Sequence, residues 1–342
     1  MTYSAMERFR DALEGRPKDR VPLFPMIAGW AAKTFSDIPL SELAKDPKGI
    51  VDAQVRAREA VGHDALFAYA DALFLPEAFG CQIRYPATGP LAEPLPFKPV
   101  TLEDIDRIPV PDPRNGGRLP IIHEVVRGLS AYGRGDIPVL GALEGPFTTT
   151  CRIIEPDLVM RMIFKSRQVL EALLDRMTGF LLEFGRALKE NGANVIFLPE
   201  PTASATMISP KVFRELVLPR LQRLTGGLAM PCILHICGDT SLILDLMDKS
   251  GADVLSLDQC MNLAGARAVV PDQVLGGNVD PINALLMGSE EKVAENTLDC
   301  LRAAGTGKYI LMTGCGVPPD TSIENVRTMI QTAIAYGLGP KL

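Results

Sequence analysis

No stretch of this chain approaches the ~20 consecutive apolar residues that a membrane-crossing helix needs, and no run of Lys and Arg stands anywhere along its 342 residues. With 35 Lys and Arg against 41 Asp and Glu, the formal net charge is −6. An acidic chain without a basic stripe argues against nucleic acid and against an anionic membrane surface as partners. The opening MTYSAMERFRDALEG lacks the apolar core of an export signal and reads as an amphipathic helix. A cytoplasmic location is therefore the expectation. Seven cysteines, an odd number, speak against a disulfide framework in such a setting. In a reducing compartment, Cys and His read more naturally as metal ligands or catalytic groups.

What the chain does have is 47% hydrophobic residues, ample for a sizeable core, and 22% charged residues spread among them, which excludes wholesale disorder. Eight short β-like runs recur at 21–26, 64–70, 137–143, 194–199, 231–236, 253–257, 273–276 and 308–313. Most are apolar throughout, as parallel strands covered on both faces are. Helical patterns over 46–61, 157–190, 210–229, 240–250, 281–304 and 322–337 separate most of them. This alternation predicts an α/β fold, a (β/α)₈ TIM barrel with an N-terminal helical extension, as one domain over 1–342. An open doubly wound sheet is the alternative. Residues 86–118, rich in Pro and Gly, interrupt the rhythm and read as a surface excursion, either an ordered loop or a lid or docking segment. Within it, TLEDID (101–106) reads as a helix start with Thr101 as cap and Glu103 or Asp104 in the first turn.

In such a barrel the active site forms at the C-terminal ends of the strands. The residues that end the runs are Asp71, Glu144, Glu200, His235 with Cys237, Asp258 with Cys260, Asn278 with Asp280, and Cys315. Core packing does not require so many polar and ligand-type groups at one rim, so the pattern favours an enzyme. The sharpest element is LHICGDT (234–240). Residues two apart in a strand share a side, so His235 and Cys237 both face the mouth, and Gly238 lets the chain turn. Cys315 follows the last run between Gly314 and Gly316, which allow close backbone approach to an ion. One imidazole and two thiolates suit tetrahedral zinc with a fourth position open, and soft sulfur ligands argue against magnesium or calcium. A buried structural pair without metal is the competing explanation of the His–Cys pair. Glu200 is the candidate for an exchangeable fourth ligand or a base behind the ligands, set against a carboxylate held by neighbouring backbone N–H groups. Asp258 and Asn278 are candidate cofactor-binding residues. Cys81, Cys151, Cys232 and Cys300 read as small core residues, Cys260 as a marginal rim contact, and His63 and His123 as ordinary helix or loop histidines.

Those motifs, with GGNVDP (276–281), GCGVPPDTSIENVR (314–327), RFRDALEGRPKDRVPLFP (8–25), EGPFTTT (144–150) and PEPTASATMISPKVFREL (199–216), resemble the cobamide-dependent methyltransferases of the uroporphyrinogen decarboxylase superfamily. The likeness is nearest to the methylcobamide:coenzyme M methyltransferases and covers nearly the whole chain. It implies a (β/α)₈ barrel with zinc at His235, Cys237 and Cys315, the three residues that spacing also selects. Decarboxylases of the superfamily carry an Arg-rich N-terminal motif of the type RQAGRY. Here the matching stretch reads PMIAGWAAKTF, without arginine, which argues against tetrapyrrole decarboxylation. Asp71 matches their catalytic aspartate region and is a candidate catalytic residue retained for another role.

The resemblance thus implies a zinc-dependent methyltransferase that moves a methyl group between a methylcobamide (a corrinoid on a partner corrinoid protein) and a thiol such as coenzyme M. Two other readings remain open at this stage. One is a demethylase passing methyl from a methoxylated or other small-molecule donor to Co(I). The other is a decarboxylase-like lyase or a non-catalytic corrinoid- or metal-binding subunit.

Overall fold

A computed structural model describes residues 3–69, 71–84, 93–97, 103–104, 107–305 and 307–338. Its centre is a seven-stranded parallel sheet in the order β1-β4-β5-β6-β7-β8-β9. The strands are β1 (Leu66–Phe67), β4 (Val139–Ala142), β5 (Val195–Pro199), β6 (Cys232–Ile236), β7 (Val254–Leu257), β8 (Val274–Val279) and β9 (Tyr309–Thr313). Between β1 and β4 in sequence, β2 (Gln82–Arg84) and β3 (Glu93–Leu95) form a separate antiparallel pair. Each neighbour in the large sheet is also the next of its strands in sequence, the arrangement that helical crossovers of one hand produce.

The first expected strand, 21–26, is not a strand. Pro22 and Pro25 have no N–H to give to a ladder, and only Leu23 bridges Leu311 of β9, in parallel. The segment nevertheless closes the ring. Leu311 N–H donates to the Pro22 carbonyl at 2.9 Å and Phe24 N–H to the Leu311 carbonyl at 2.9 Å. On the other side, Asp64 N–H donates to the Leu23 carbonyl at 2.8 Å, and Leu23 N–H to Asp64 Oδ2 at 3.0 Å. The two edges of the sheet, β1 and β9, are therefore joined through this segment, and the chain closes as the expected α/β barrel.

Local sequence accounts for the helices around it. The opening helix, Ala5–Glu14, starts on a capping box in which Ser4 and Glu7 satisfy each other's backbone N–H groups, and it stops at Gly15, φ 68°. In Arg167–Glu190, Leu170, Leu173, Leu174, Met177, Leu181, Phe184 and Leu188 recur at helical spacing and are buried. Each such side chain contributes about 1.5–3 kcal/mol of burial against the barrel wall. The expected 157–190 helix is broken at Ser166 into Pro156–Lys165 and Arg167–Glu190. The expected 281–304 helix is likewise divided, into a π-turn over Pro281–Leu286 and a helix over Glu290–Ala304 capped by Ser289.

Of the 86–118 excursion, the described parts include β3, the Phe97 bridge to Ile154, and residues 107–118. Thr101, the expected cap, lies outside the described residues, while Glu103 and Asp104 are helical. No helix among the described residues is long and apolar enough to cross a membrane.

Candidate metal and active site

His235 sits on β6 and Cys237 just beyond it, while Cys315 follows β9. Across the mouth of the ring, their Nε2 and Sγ atoms converge to within 4.8 Å of one another, and this His-Cys-Cys group is the ligand cluster found among the described residues. Cys237 Sγ lies 3.3 Å from His235 Nε2 and 3.8 Å from Cys315 Sγ. His235 is 3% exposed. Its other ring nitrogen, Nδ1, faces the Ser256 hydroxyl at 3.1 Å and the Ser256 carbonyl at 3.3 Å. A carbonyl only accepts, so Nδ1 carries the proton there and Nε2 keeps its lone pair for a ligand. Phe197 stacks beside the ring at 6.1 Å between centroids. The Cys237 S–H and the imidazole beside it push the Cys315 thiol below its ordinary range. Cys237 is pushed up by its bond to Cys315 and by burial.

The glycines work as expected in one place and differently in another. Gly238 takes φ 80°, the left-handed turn that lets the chain leave β6, and its N–H donates to Asp258 Oδ2 at 2.8 Å. Gly314 is needed for packing rather than for approach to an ion, because a Cβ there would meet the Gln259 backbone nitrogen at 2.4 Å.

Glu200 lies outside the three-residue cluster. It is fully buried, and its carboxylate accepts from the backbone N–H groups of Phe147 and Thr148, at the start of the helix Pro146–Ile153. Its own N–H donates to the His235 carbonyl at 2.8 Å, so it is built into the same β5–β6 edge. Burial pushes Glu200 up to about 8, opposed by those hydrogen bonds and aided by Glu144. Gly145 makes room for it, since a Cβ at that position would stand 1.7 Å from Glu200 Oε2. Glu144 pairs with Arg152 at 2.6 Å.

Asp258 accepts from Gly238 N–H and, at 3.1 Å, from Cys260 N–H. Asn278 lies inside β8 rather than after it. Its amide donates to the carbonyls of Asp258 at 2.9 Å and Met261 at 2.7 Å, fastening the β7 and β8 ends together. Asp71 is bound to Arg118 at 2.9 and 3.1 Å, with side chains only 8% and 6% exposed, and Arg118 also holds Glu77. Cys81, Cys151, Cys232 and Cys300 are buried and Cys260 is exposed; all are free thiols. His63 and His123 stand apart from the cluster.

Sequence reasoning missed Ser256, Tyr69 and Arg118. Ser256 is the one polar residue in the buried run VLSL and is paired in register with His235. That lone hydroxyl was the available signal. Tyr69 is half-buried near Glu144 and Cys315, and burial first, then those two groups, raises its pKa. Arg118 lies 47 positions from Asp71 in sequence, with no local pattern joining them.

The donor set fits a soft-ligand metal. It offers one imidazole nitrogen and two convergent sulfurs, with no hard oxygen among the three.

Residues 4–336 match the uroporphyrinogen decarboxylase (URO-D) family. The chain is 30% identical over 343 residues to the methylcobamide:CoM methyltransferase MtbA of Methanosarcina acetivorans, covering 98% of each chain. It is 28% identical to the uroporphyrinogen decarboxylase of Geobacter metallireducens, covering 95% of this chain and 97% of that one. A solved methyltransferase from Methanosarcina mazei superposes with a TM-score of 0.91 at 26% identity, over 98% of this chain and 99% of that one. The expectation of a methyltransferase enzyme stands with these likenesses. The chain belongs to the uroporphyrinogen decarboxylase family.

Proposed function

We propose that the protein transfers a methyl group from a methylcobamide, carried by a partner corrinoid protein, to a thiol at a zinc site made by His235, Cys237 and Cys315. The observation that supports this most is the convergence of those three ligand atoms within 4.8 Å at the mouth of the ring. Zinc bound there supplies a Lewis acid that lowers the pKa of an incoming thiol and keeps its sulfur as thiolate.

In the reaction, the thiol loses its proton, a sulfur–carbon bond forms, and the cobalt–carbon bond breaks. The bonding pair stays on cobalt, which passes from Co(III) to Co(I). The chain's own residues prepare this. Ser256 fixes the imidazole so that Nε2 points to the sulfurs, and the two cysteines hold the site closed on the protein side. Glu200 is joined to the same edge by its N–H bond to the His235 carbonyl and stands as the residue behind the ligands rather than among them. Two facts speak against decarboxylation. The arginines of the decarboxylase motif are absent from PMIAGWAAKTF, and Asp71 is held in an ion pair with Arg118.

The test is zinc content and methyl transfer from methylcobalamin to a thiol, wild type beside Cys237→Ala and Cys315→Ala. About one zinc per chain, lost in the variants together with transfer while the fold is retained, supports the reading. Transfer that persists in folded Cys315→Ala overturns it.

A further inference from the structure

Cys237 and Cys315 reach the mouth of the ring from the ends of β6 and β9, strands that are not neighbours in the sheet. Their Sγ atoms stand 3.8 Å apart, across 78 positions of sequence. A sulfur–sulfur bond is about 2.05 Å long, so a further approach of roughly 1.8 Å joins them. Both residues sit in irregular backbone just past their strands and are half-buried, neither sealed in the core nor fixed in a ladder. Gly316, beside Cys315, is exposed, and a Cβ there would meet nothing nearer than the Met26 carbonyl oxygen at 4.0 Å. The turn that carries Cys315 therefore has open space beside it for that approach.

A metal takes these sulfurs only as separate thiolates. Once bonded to each other they are lost as ligands, and of the cluster only the His235 imidazole is left. A structural or catalytic zinc site needs at least three protein ligands, so the joined form does not hold the ion. The converse follows as well. A bound ion occupies a lone pair on each sulfur and keeps the two from reacting.

We propose that Cys237 and Cys315 form a reversible disulfide when no metal is bound, and that this bond closes the site to zinc. The bond rests on the sulfur contact; the exclusion of metal rests also on the zinc reading above. The oxidant is a small-molecule disulfide. One cysteine sulfur attacks it, which forms a mixed disulfide and releases one small thiol. The second cysteine then attacks the protein sulfur of that mixed disulfide, forms the Cys237–Cys315 bond and releases the other small thiol. Two protein thiols are oxidised, one disulfide is reduced to two thiols, and the two cysteine protons go to those thiols.

The experiment treats the whole chain with glutathione disulfide, zinc-free and zinc-saturated in parallel, and maps unreduced peptides by mass spectrometry. Zinc uptake is then measured before and after a phosphine reductant. The zinc-free protein is expected to yield a Cys237–Cys315 linked peptide lacking both thiol hydrogens. It should take up almost no zinc, and recover about one zinc per chain on reduction. With zinc well above its Kd, the linked peptide forms about tenfold or more slowly. Cys260 is the exposed competing thiol, and Cys260→Ser should leave the linked peptide unchanged. Cys237 and Cys315 recovered as free thiols, or as separate glutathione adducts, overturn the inference and leave the zinc reading standing. A linked protein that takes up zinc as well as the reduced one also overturns it. A reduced protein that binds no zinc overturns the zinc reading and the exclusion with it. The wild-type map decides the matter by itself if Cys260→Ser does not fold.

Discussion

Ser256→Ala is the most direct probe of how the fold prepares the metal site. The hydroxyl is buried on β7 and lies 3.1 Å from His235 Nδ1, while the Ser256 carbonyl stays 3.3 Å away in the variant. Removing a group that orients a metal-binding histidine costs 10- to 100-fold in metal affinity. Because one acceptor remains, the loss falls at the low end, about tenfold, or about 1.4 kcal/mol. The side chain fills no large volume, so the metal-free protein keeps its unfolding temperature within a few degrees. The assay is zinc competition against a chromophoric chelator at fixed pH, wild type beside Ser256→Ala and His235→Ala, with thermal unfolding of the apo forms as the control. His235→Ala removes a ligand and should abolish tight binding. An affinity for Ser256→Ala within twofold of wild type would refute the claim that this hydroxyl helps orient the His235 ring.

Other outcomes follow from the same geometry. Asp71→Ala leaves Arg118, 6% exposed, with Glu77 as its remaining ion-pair partner, and should cost about 3 kcal/mol of stability in denaturant unfolding. A loss under 1 kcal/mol would show that the pair is not structural. Glu200 has a folded-state pKa of about 8 against an ordinary 4.5, so the fold binds this proton more tightly than the unfolded chain does. The stability this gives is fully present below about pH 4.5 and is lost as pH rises through about 8. Wild type should therefore lose unfolding temperature relative to Glu200→Gln between about pH 5 and pH 9, and parallel curves would contradict the assignment.

Much of this was legible in the sequence because it rests on local pattern. The β-like runs at 194–199, 231–236, 253–257 and 308–313 became β5, β6, β7 and β9, since buried parallel strands announce themselves as short apolar runs. His235 and Cys237 share a strand side by period alone, and Cys315 was found because it follows the last strand of a closed ring. What failed to show was non-local. Segment 21–26 has the apolarity of a strand, but its two prolines restrict it to a bridge. The breaks at Ser166 and at Gly288–Ser289 fall within apolar periodicity that continues across them, and tertiary packing decides where such a helix divides. Asp71 reads as a free rim carboxylate until Arg118 arrives from across the excursion. Asn278 looks like a ligand-binding amide until its bonds to the carbonyls of residues 258 and 261 are seen.

The closure at Leu23 and Leu311 also sets a timetable. The ring is sealed by partners 288 positions apart, and at 5–20 residues per second of synthesis the first waits roughly 15–60 s for the second. During that interval the apolar segment around Leu23 and Phe24 has no β9 to lie against. Cys315 is delivered by the same late strand, two residues after it ends, so the second sulfur reaches His235 and Cys237 only as the barrel seals. On the proposed zinc reading, metal loading would report completed assembly: a nascent or truncated protein lacking β9 presents two of the three cluster residues and an open edge, and an intact one presents all three.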